Sequence, residues 1–256
     1  MRRKLSYWAL ALLVPLSFVS CSQEEVAPQE QELRIATRST SDESAAETFT
    51  DAFTLELWST TDNAKYETHQ MTYTDGAGWN TVKSSILPAN AFAYKGSSVT
   101  DISYTDKWNY TVTLQLDQSD ATKLADADVM IATGSANAES PLDLNFGHVF
   151  AKVTFNATLA SEFGEADNIA TLKVMTVDEK TVNAYVDEKT VSAIITPGEY
   201  TAGNDFLSIK VSDADNPLTV KVPAGGLTFT AGTHYTFTLK VGKDKVTQVS
   251  TTENVM

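Results

Sequence analysis

Residue types that do chemistry are few in this chain and badly spaced for it. The three histidines are His69, His148 and His234, and no His-x-x-x-His or His-x-Glu pair exists. They therefore lack metal-ligand spacing. Each lies in or beside a strand pattern, which favours a structural role. A Gly-x-Ser-x-Gly nucleophile elbow is absent, as is any phosphate loop. Close acid pairs occur at Asp126/Asp128 and Asp213/Asp215. Glycosidases and Ca²⁺ sites use such carboxylates. However, Asp213-Ala214-Asp215-Asn216-Pro217 has the composition of a strand-connecting turn. Trp58 and Trp79 could stack on sugars. Trp58 falls on the polar face of its strand, where a surface tryptophan more often meets a domain or a partner. The expectation is a protein with no enzymatic activity, no metal site and no cofactor.

Two residue types carry chemistry of another kind. Cys21 is the one cysteine, so no internal disulfide and no Cys-based metal cluster can form. It follows a leader. Arg2-Arg3-Lys4 form a charged start, Tyr7–Leu16 an apolar stretch, and small Ser20 precedes the cysteine. The apolar stretch is short for a bilayer, and no later run offers 18 apolar residues. Phe18-Val19-Ser20-Cys21 resembles the bacterial lipobox, which implies lipidation at Cys21. Several acyl chains on one terminus hold a protein on a membrane stably. Ser22-Gln23-Glu24-Glu25 resembles the surface-export signal of lipoproteins in some Gram-negative anaerobes, and by composition it is also a solvated tether. Arginine is the second type. The chain has only Arg2, Arg3, Arg34 and Arg38, and everything beyond residue 38 carries lysine alone. An Arg-specific protease could cut at Arg34 or Arg38 and find no target further on. The formal net charge is −14, which argues against nucleic acid and against docking on anionic lipid.

The elements that would hold these residues follow a period of two. Phe53, Leu55 and Leu57 alternate with Thr54, Glu56 and Trp58. Trp108 to Leu116 alternates in the same way, as does Tyr235 to Val241. Each pattern is a strand with one buried and one wet face. Thr, with 34 residues, fills many polar positions, where β-branching favours extended backbone. Asp75-Gly76, Pro197-Gly198, Asp215-Asn216-Pro217 and Gly225-Gly226 are turn signals. Only Ser119–Asp128 has the pattern of a short helix. The count is roughly fifteen short strands, a β-sandwich architecture. Residues 27–47 form a Gln-, Glu-, Ser- and Thr-rich linker with one extended piece, Leu33–Thr37. Apolar parity switches at Gly147-His148, from even positions (Leu142, Leu144, Phe146) to odd ones (Val153, Phe155). That demands a bulge, a bend or a change of sheet, and the reading adopted is a boundary between two sandwiches. Val177–Val182 recurs as Val186–Val191, which points to one hairpin.

Pro141–Phe155, with Leu144-Asn145-Phe146-Gly147-His148 followed by Ala151-Lys152-Val153, resembles the signature of the fimbrillin-like family. Asp128–Ala132 and Ala231–Leu239 resemble flanking strands of the same family. The resemblance implies an all-β chain of two tandem transthyretin-like β-sandwich domains after a lipoprotein signal peptide. The expected division is a signal peptide at 1–20, a lipidated tether or pro-segment at 21–47, and sandwiches at 48–147 and 148–256. It further implies an outer-membrane, surface-exposed lipoprotein that an Arg-specific protease converts into a fimbrial subunit, joined to other subunits by β-strand complementation. The last strand is expected to end near Ser250. The remaining Thr251–Met256 is little for a donated strand, which favours a tip or accessory subunit over a stalk. The alternative is a surface glycan-binding lipoprotein that never polymerises.

Overall fold

The computed structural model describes residues 30–39, 48–61, 65–212 and 216–256. The chain is all-β, with a β-sandwich fold. The N-terminal strands are β1 (Gln31–Leu33), β2 (Ile35–Ser39), β3 (Phe53–Ser59), β4 (Lys65–Met71), β5 (Tyr73–Thr74) and β6 (Gly78–Trp79). They continue with β7 (Val82–Ser84), β8 (Ala89–Lys95), β9 (Val99–Tyr104), β10 (Trp108–Val112), β11 (Met130–Ala136) and β12 (Leu142–His148). The C-terminal strands are β13 (Ala151–Leu159), β14 (Ile169–Met175), β15 (Thr181–Asn183), β16 (Tyr185–Asp187), β17 (Thr190–Ile195) and β18 (Gly198–Tyr200). After them come β19 (Asp205–Val211), β20 (Leu218–Lys221), β21 (Leu227–Phe229), β22 (Thr233–Val241) and β23 (Val246–Val255). The short helix α1 (Ala121–Ala127) is capped by Asp120, whose side chain accepts from the Lys123 amide.

In the N-terminal half, six strands form one sheet in the order β2-β12-β11-β8-β3-β4. Alternation dictates its inner face. Odd positions of β3 and β8 (Leu55, Leu57, Ala91, Ala93) and even positions of β11 and β12 (Met130, Ala132, Leu144, Phe146) meet in one core. Gly134 lets β11 approach β12, since a Cβ there would sit 2.8 Å from Leu142 Cδ1. The opposite face is also covered. The β9–β10 hairpin lays Trp108 5.8 Å from Trp58 and 5.1 Å from Phe92. Consequently Leu55 to Trp58 are buried in unbroken succession. Trp58, expected at a surface, is 7% exposed, and its indole N–H donates to Glu56 Oε2 at 3.3 Å.

In the C-terminal half, a sheet of order β16-β17-β13-β22-β23 lies near a four-stranded one of order β15-β14-β19-β20. Their apolar faces share a second core, in which Phe155 and Phe237 stack at 5.3 Å and Leu172, Val174 and Ile209 are buried. The parity switch corresponds to a change of sheet. β12 ends at His148, Val149 and Phe150 intervene, and β13 starts in the other sheet. The two cores touch the same junction. Phe92, Val99, Leu114 and Val129 of the first half belong to the cluster that fills the second.

Three sequence expectations change. The strand begun at Trp108 ends at Val112, because Leu114 turns into the second core and Leu116 O accepts from Asn183 N. The repeated Val-Asp-Glu-Lys-Thr-Val segments mark two hairpin turns rather than one. Each puts its glutamate, Glu179 or Glu188, at positive φ (61° and 54°). The last strand does not stop near Ser250: β23 runs to Val255, paired with β22 from Val246↔Val241 to Val255↔Thr233 across one register shift between Thr238 and Leu239.

Candidate functional site

The arrangement that stands out is the seat of the N-terminal segment. From Leu33 to Ser39 burial alternates without a fault. Leu33, Ile35, Thr37 and Ser39 face inward, and Arg34, Ala36 and Arg38 face out, as period two requires. The segment bridges two layers. β1 runs antiparallel to β7, with Leu33 opposite Val82. β2 runs parallel to β12, with Ile35 opposite Leu142 and Thr37 opposite Leu144. The extended piece read as Leu33–Thr37 is thus two strands divided at Arg34, whose carbonyl accepts from Leu142 N at 2.7 Å. β2 is the edge of the six-stranded sheet, so among the described residues its other side has no strand neighbour.

Beneath β2 lies an aromatic floor. Phe49 stacks on Phe146 at 4.1 Å, and Phe53 meets Phe146 at 5.0 Å and Trp79 at 4.8 Å. Trp79 stands on the small β5–β6 hairpin, whose turn is the expected Asp75-Gly76. Its indole N–H donates to Thr37 Oγ1 at 3.1 Å, and that hydroxyl donates to Phe49 O at 2.6 Å. Leu33, at 3% exposure, joins the same core. Burying one such aliphatic side chain stabilises by about 1.5–3 kcal/mol. Outside, Arg38 pairs with Asp143 at 3.0 Å while both side chains stay about half exposed. Such a pair contributes at most about 1 kcal/mol. Arg34 reaches Glu139 O at 3.2 Å.

The other candidates are dispersed. Cys21, the leader, Ser22–Glu25 and Asp213/Asp215 lie outside the described residues. His69 pairs with Glu67 at 3.0 Å, His148 with Asp128 at 2.7 Å, and His234 with Thr154 Oγ1 at 2.9 Å. Burial holds the His234 imidazole below its ordinary pKa, with the Lys152 charge as the second cause. Among the described residues, no group of three His, Cys, Asp or Glu side chains could hold a metal. A surface depression beside Met175, Tyr200 and Asp205 carries the Lys221–Asp205 ion pair at 3.0 Å and no histidine, cysteine or serine. No helix among the described residues is long and apolar enough to cross a membrane. The sequence reading named the arginines but missed Thr37, Phe49 and Phe146 as parts of the seat. The signal it could have used is the inward alternation of Leu33, Ile35 and Thr37.

Fold and site together define an all-β sandwich protein whose candidate site is a strand seat. The chain belongs to the fimbrillin-like family, whose model matches residues 34–254. That match takes in both β2 and its partner β12. Solved structures share the fold. A "putative cell adhesion protein" from Bacteroides uniformis is 17% identical, with 88% of this chain and 98% of that one covered at a TM-score of 0.55. One of the same description from Bacteroides ovatus is 13% identical, with 89% and 99% covered and a TM-score of 0.57. The C-terminally truncated tip fimbrial protein Mfa3 from Porphyromonas gingivalis is 11% identical, with 89% and 100% covered and a TM-score of 0.53. No curated protein matches the chain significantly in sequence.

Proposed function

We propose that the chain is a structural subunit of cell-surface fimbriae that mediates adhesion. In this reading it is made as an outer-membrane lipoprotein anchored through Cys21, with residues 1–20 as signal peptide and 21–47 as a lipidated tether or pro-segment, of which the part up to Arg38 is removable. Two sandwiches, 48–147 and 148–256, form the body. An Arg-specific protease cuts after Arg38, with Arg34 as the second target. Loss of β1 and β2 bares the backbone groups of β12, and a strand from another subunit satisfies them by β-augmentation. The observation that carries the reading is β2 itself. It is a parallel edge strand that contains Arg38 and starts just after Arg34, the two arginines that remain once a leader is gone.

The test is a double Arg34→Ala, Arg38→Ala variant, expressed beside wild type and followed by mass spectrometry of purified surface filaments. The variant should stay lipidated and unassembled. Entry into filaments at the wild-type level, with the N-terminal segment intact, would overturn the mechanism. Cys21→Ala should release the protein from membranes or block its maturation. Unchanged membrane fractionation, with no acyl mass on the wild type, sinks the anchor.

A further inference from the structure

Thr37, an inward residue of β2, makes two side-chain hydrogen bonds through a single atom. Its Oγ1 accepts from the Trp79 indole N–H at 3.1 Å and donates to the Phe49 carbonyl at 2.6 Å. Both hydrogen bonds are partly buried. Phe49 and Trp79 lie beyond Arg38 in the chain and stay in place when the segment leaves. They would then present one unpaired donor and one unpaired acceptor into the vacated seat. Among short side chains a hydroxyl does both through a single atom, as here, whereas a carboxamide splits the two roles between two atoms. An ammonium donates only, a carboxylate accepts only, and an aliphatic group does neither. Two and four residues upstream, the positions of Ile35 and Leu33 open on the apolar core.

We infer that the strand which fills this seat after processing carries a Thr or Ser opposite Leu144, with aliphatic side chains two and four residues to one side of it. The inference rests on the strand-exchange reading above and names the partner's chemistry. It also excludes one source. In β23, Val246 is followed two places on by Gln248, Val249 by Thr251, and Val255 is preceded by Glu253. In neither direction does that strand offer two alternate aliphatics and then a hydroxyl. A second copy's β23 is therefore not the occupant.

The experiment starts from the full chain without its leader, cut by an Arg-specific endoprotease and freed of the released segment. Synthetic peptides spanning residues 30–39 are added back: wild type, Thr37→Ser and Thr37→Val. Binding is followed by tryptophan fluorescence, with a Trp79→Phe protein to assign the signal. Wild-type and Thr37→Ser peptides should bind alike. The Thr37→Val peptide should bind about tenfold more weakly or worse, since it leaves a donor and an acceptor unpaired. Equal binding of Thr37→Val and wild type overturns the inference and leaves strand exchange standing. Failure of the wild-type peptide to bind overturns strand exchange and the inference with it. A second measurement uses the uncut chain. Thr37→Val should speed cleavage at Arg38 about tenfold in the regime where opening precedes cutting, and Thr37→Ser should not. Equal cleavage rates for all three count against the role of the hydroxyl.

Discussion

Each half of the molecule closes one sheet with a strand from one end of the described chain, and the two closures are fastened in opposite ways. β2 is five residues long, parallel, and separated by more than a hundred positions from its partner β12. Its ladder is short, and its hold comes from side chains: Leu33 and Ile35 in the core and Thr37 on Trp79 and Phe49. β23 is ten residues long, antiparallel, and joined to β22 by a tight turn. Its described side chains are mostly exposed, Val255 at 52%, so its hold is the ladder itself. A strand held by side chains in pockets can be exchanged for another that fits the pockets. One held by a long local ladder has no vacancy to offer.

The comparison can be broken first at the two aromatic centres. Phe146 and Phe237 are both fully buried. Replacing either by Ala should cost about 3–5 kcal/mol in denaturant titrations. The two should differ in reach. Phe146→Ala removes the partner of Phe49 and should raise hydrogen exchange in β2, whereas Phe237→Ala should leave β2 protected. Equal loss of β2 protection in both variants would mean that the halves are not separable. The next effect is smaller. Leu33→Ala should cost about 2–3 kcal/mol and speed Arg-specific cleavage, while Val255→Ala should stay within about 0.5 kcal/mol, as exposed positions do. Thermal melts of the uncut chain check both.

Much of this contrast was legible in the sequence where a strand has one wet face and one dry face. Phe53-Leu55-Leu57 and Tyr235-Phe237-Leu239 announced themselves by alternation, and Asp75-Gly76 announced the turn beneath Trp79. The end of β23 did not. Ser250 to Asn254 are polar at every position because both faces of that edge are wet, and period two then leaves no hydrophobic trace. Trp58 misled for the opposite reason. Its polar-face position is covered by the β9–β10 hairpin, a tertiary contact some fifty residues away that no local pattern encodes. The seat was half visible. Arg34, Arg38 and the extended piece between them could be read. That β2 would run parallel to β12 could not, since register between distant strands is set by the packed core.

The outer fastening of β2 tests whether charge helps to hold it. Asp143→Asn removes the partner of Arg38 at a site about half exposed. The expected loss is under about 1 kcal/mol, and it should fade further in high salt. Arg38 then swings free, and cleavage after it should quicken slightly at low ionic strength and not at high. A salt-independent change of several kcal/mol would show that Asp143 does more than pair with Arg38.

The smallest effect belongs to the C-terminal half and is read against pH. His234 lies opposite Lys152 on β13 and Asn254 on β23, and hydrogen-bonds Thr154. Desolvation lowers its pKa from the ordinary 6.5, and the Lys152 charge lowers it further. The sign follows from linkage. The unfolded chain takes up the proton first as pH falls, so it binds more protons than the folded one, and stability drops with acidification. The contribution of His234 is complete above about pH 6.5 and disappears as pH falls through the lowered folded value. Denaturant midpoints measured between pH 7 and 5 should decline less in a His234→Gln variant, which keeps a polar partner for Thr154 without the titration. The decline should register in β13, β22 and β23 by hydrogen exchange, with β2 unaffected by the substitution. If His234→Gln alters the pH dependence of β2 protection as strongly as that of β22, the two closures are coupled across the junction at Val129 and Phe92, and the contrast between an exchangeable and a permanent edge no longer holds.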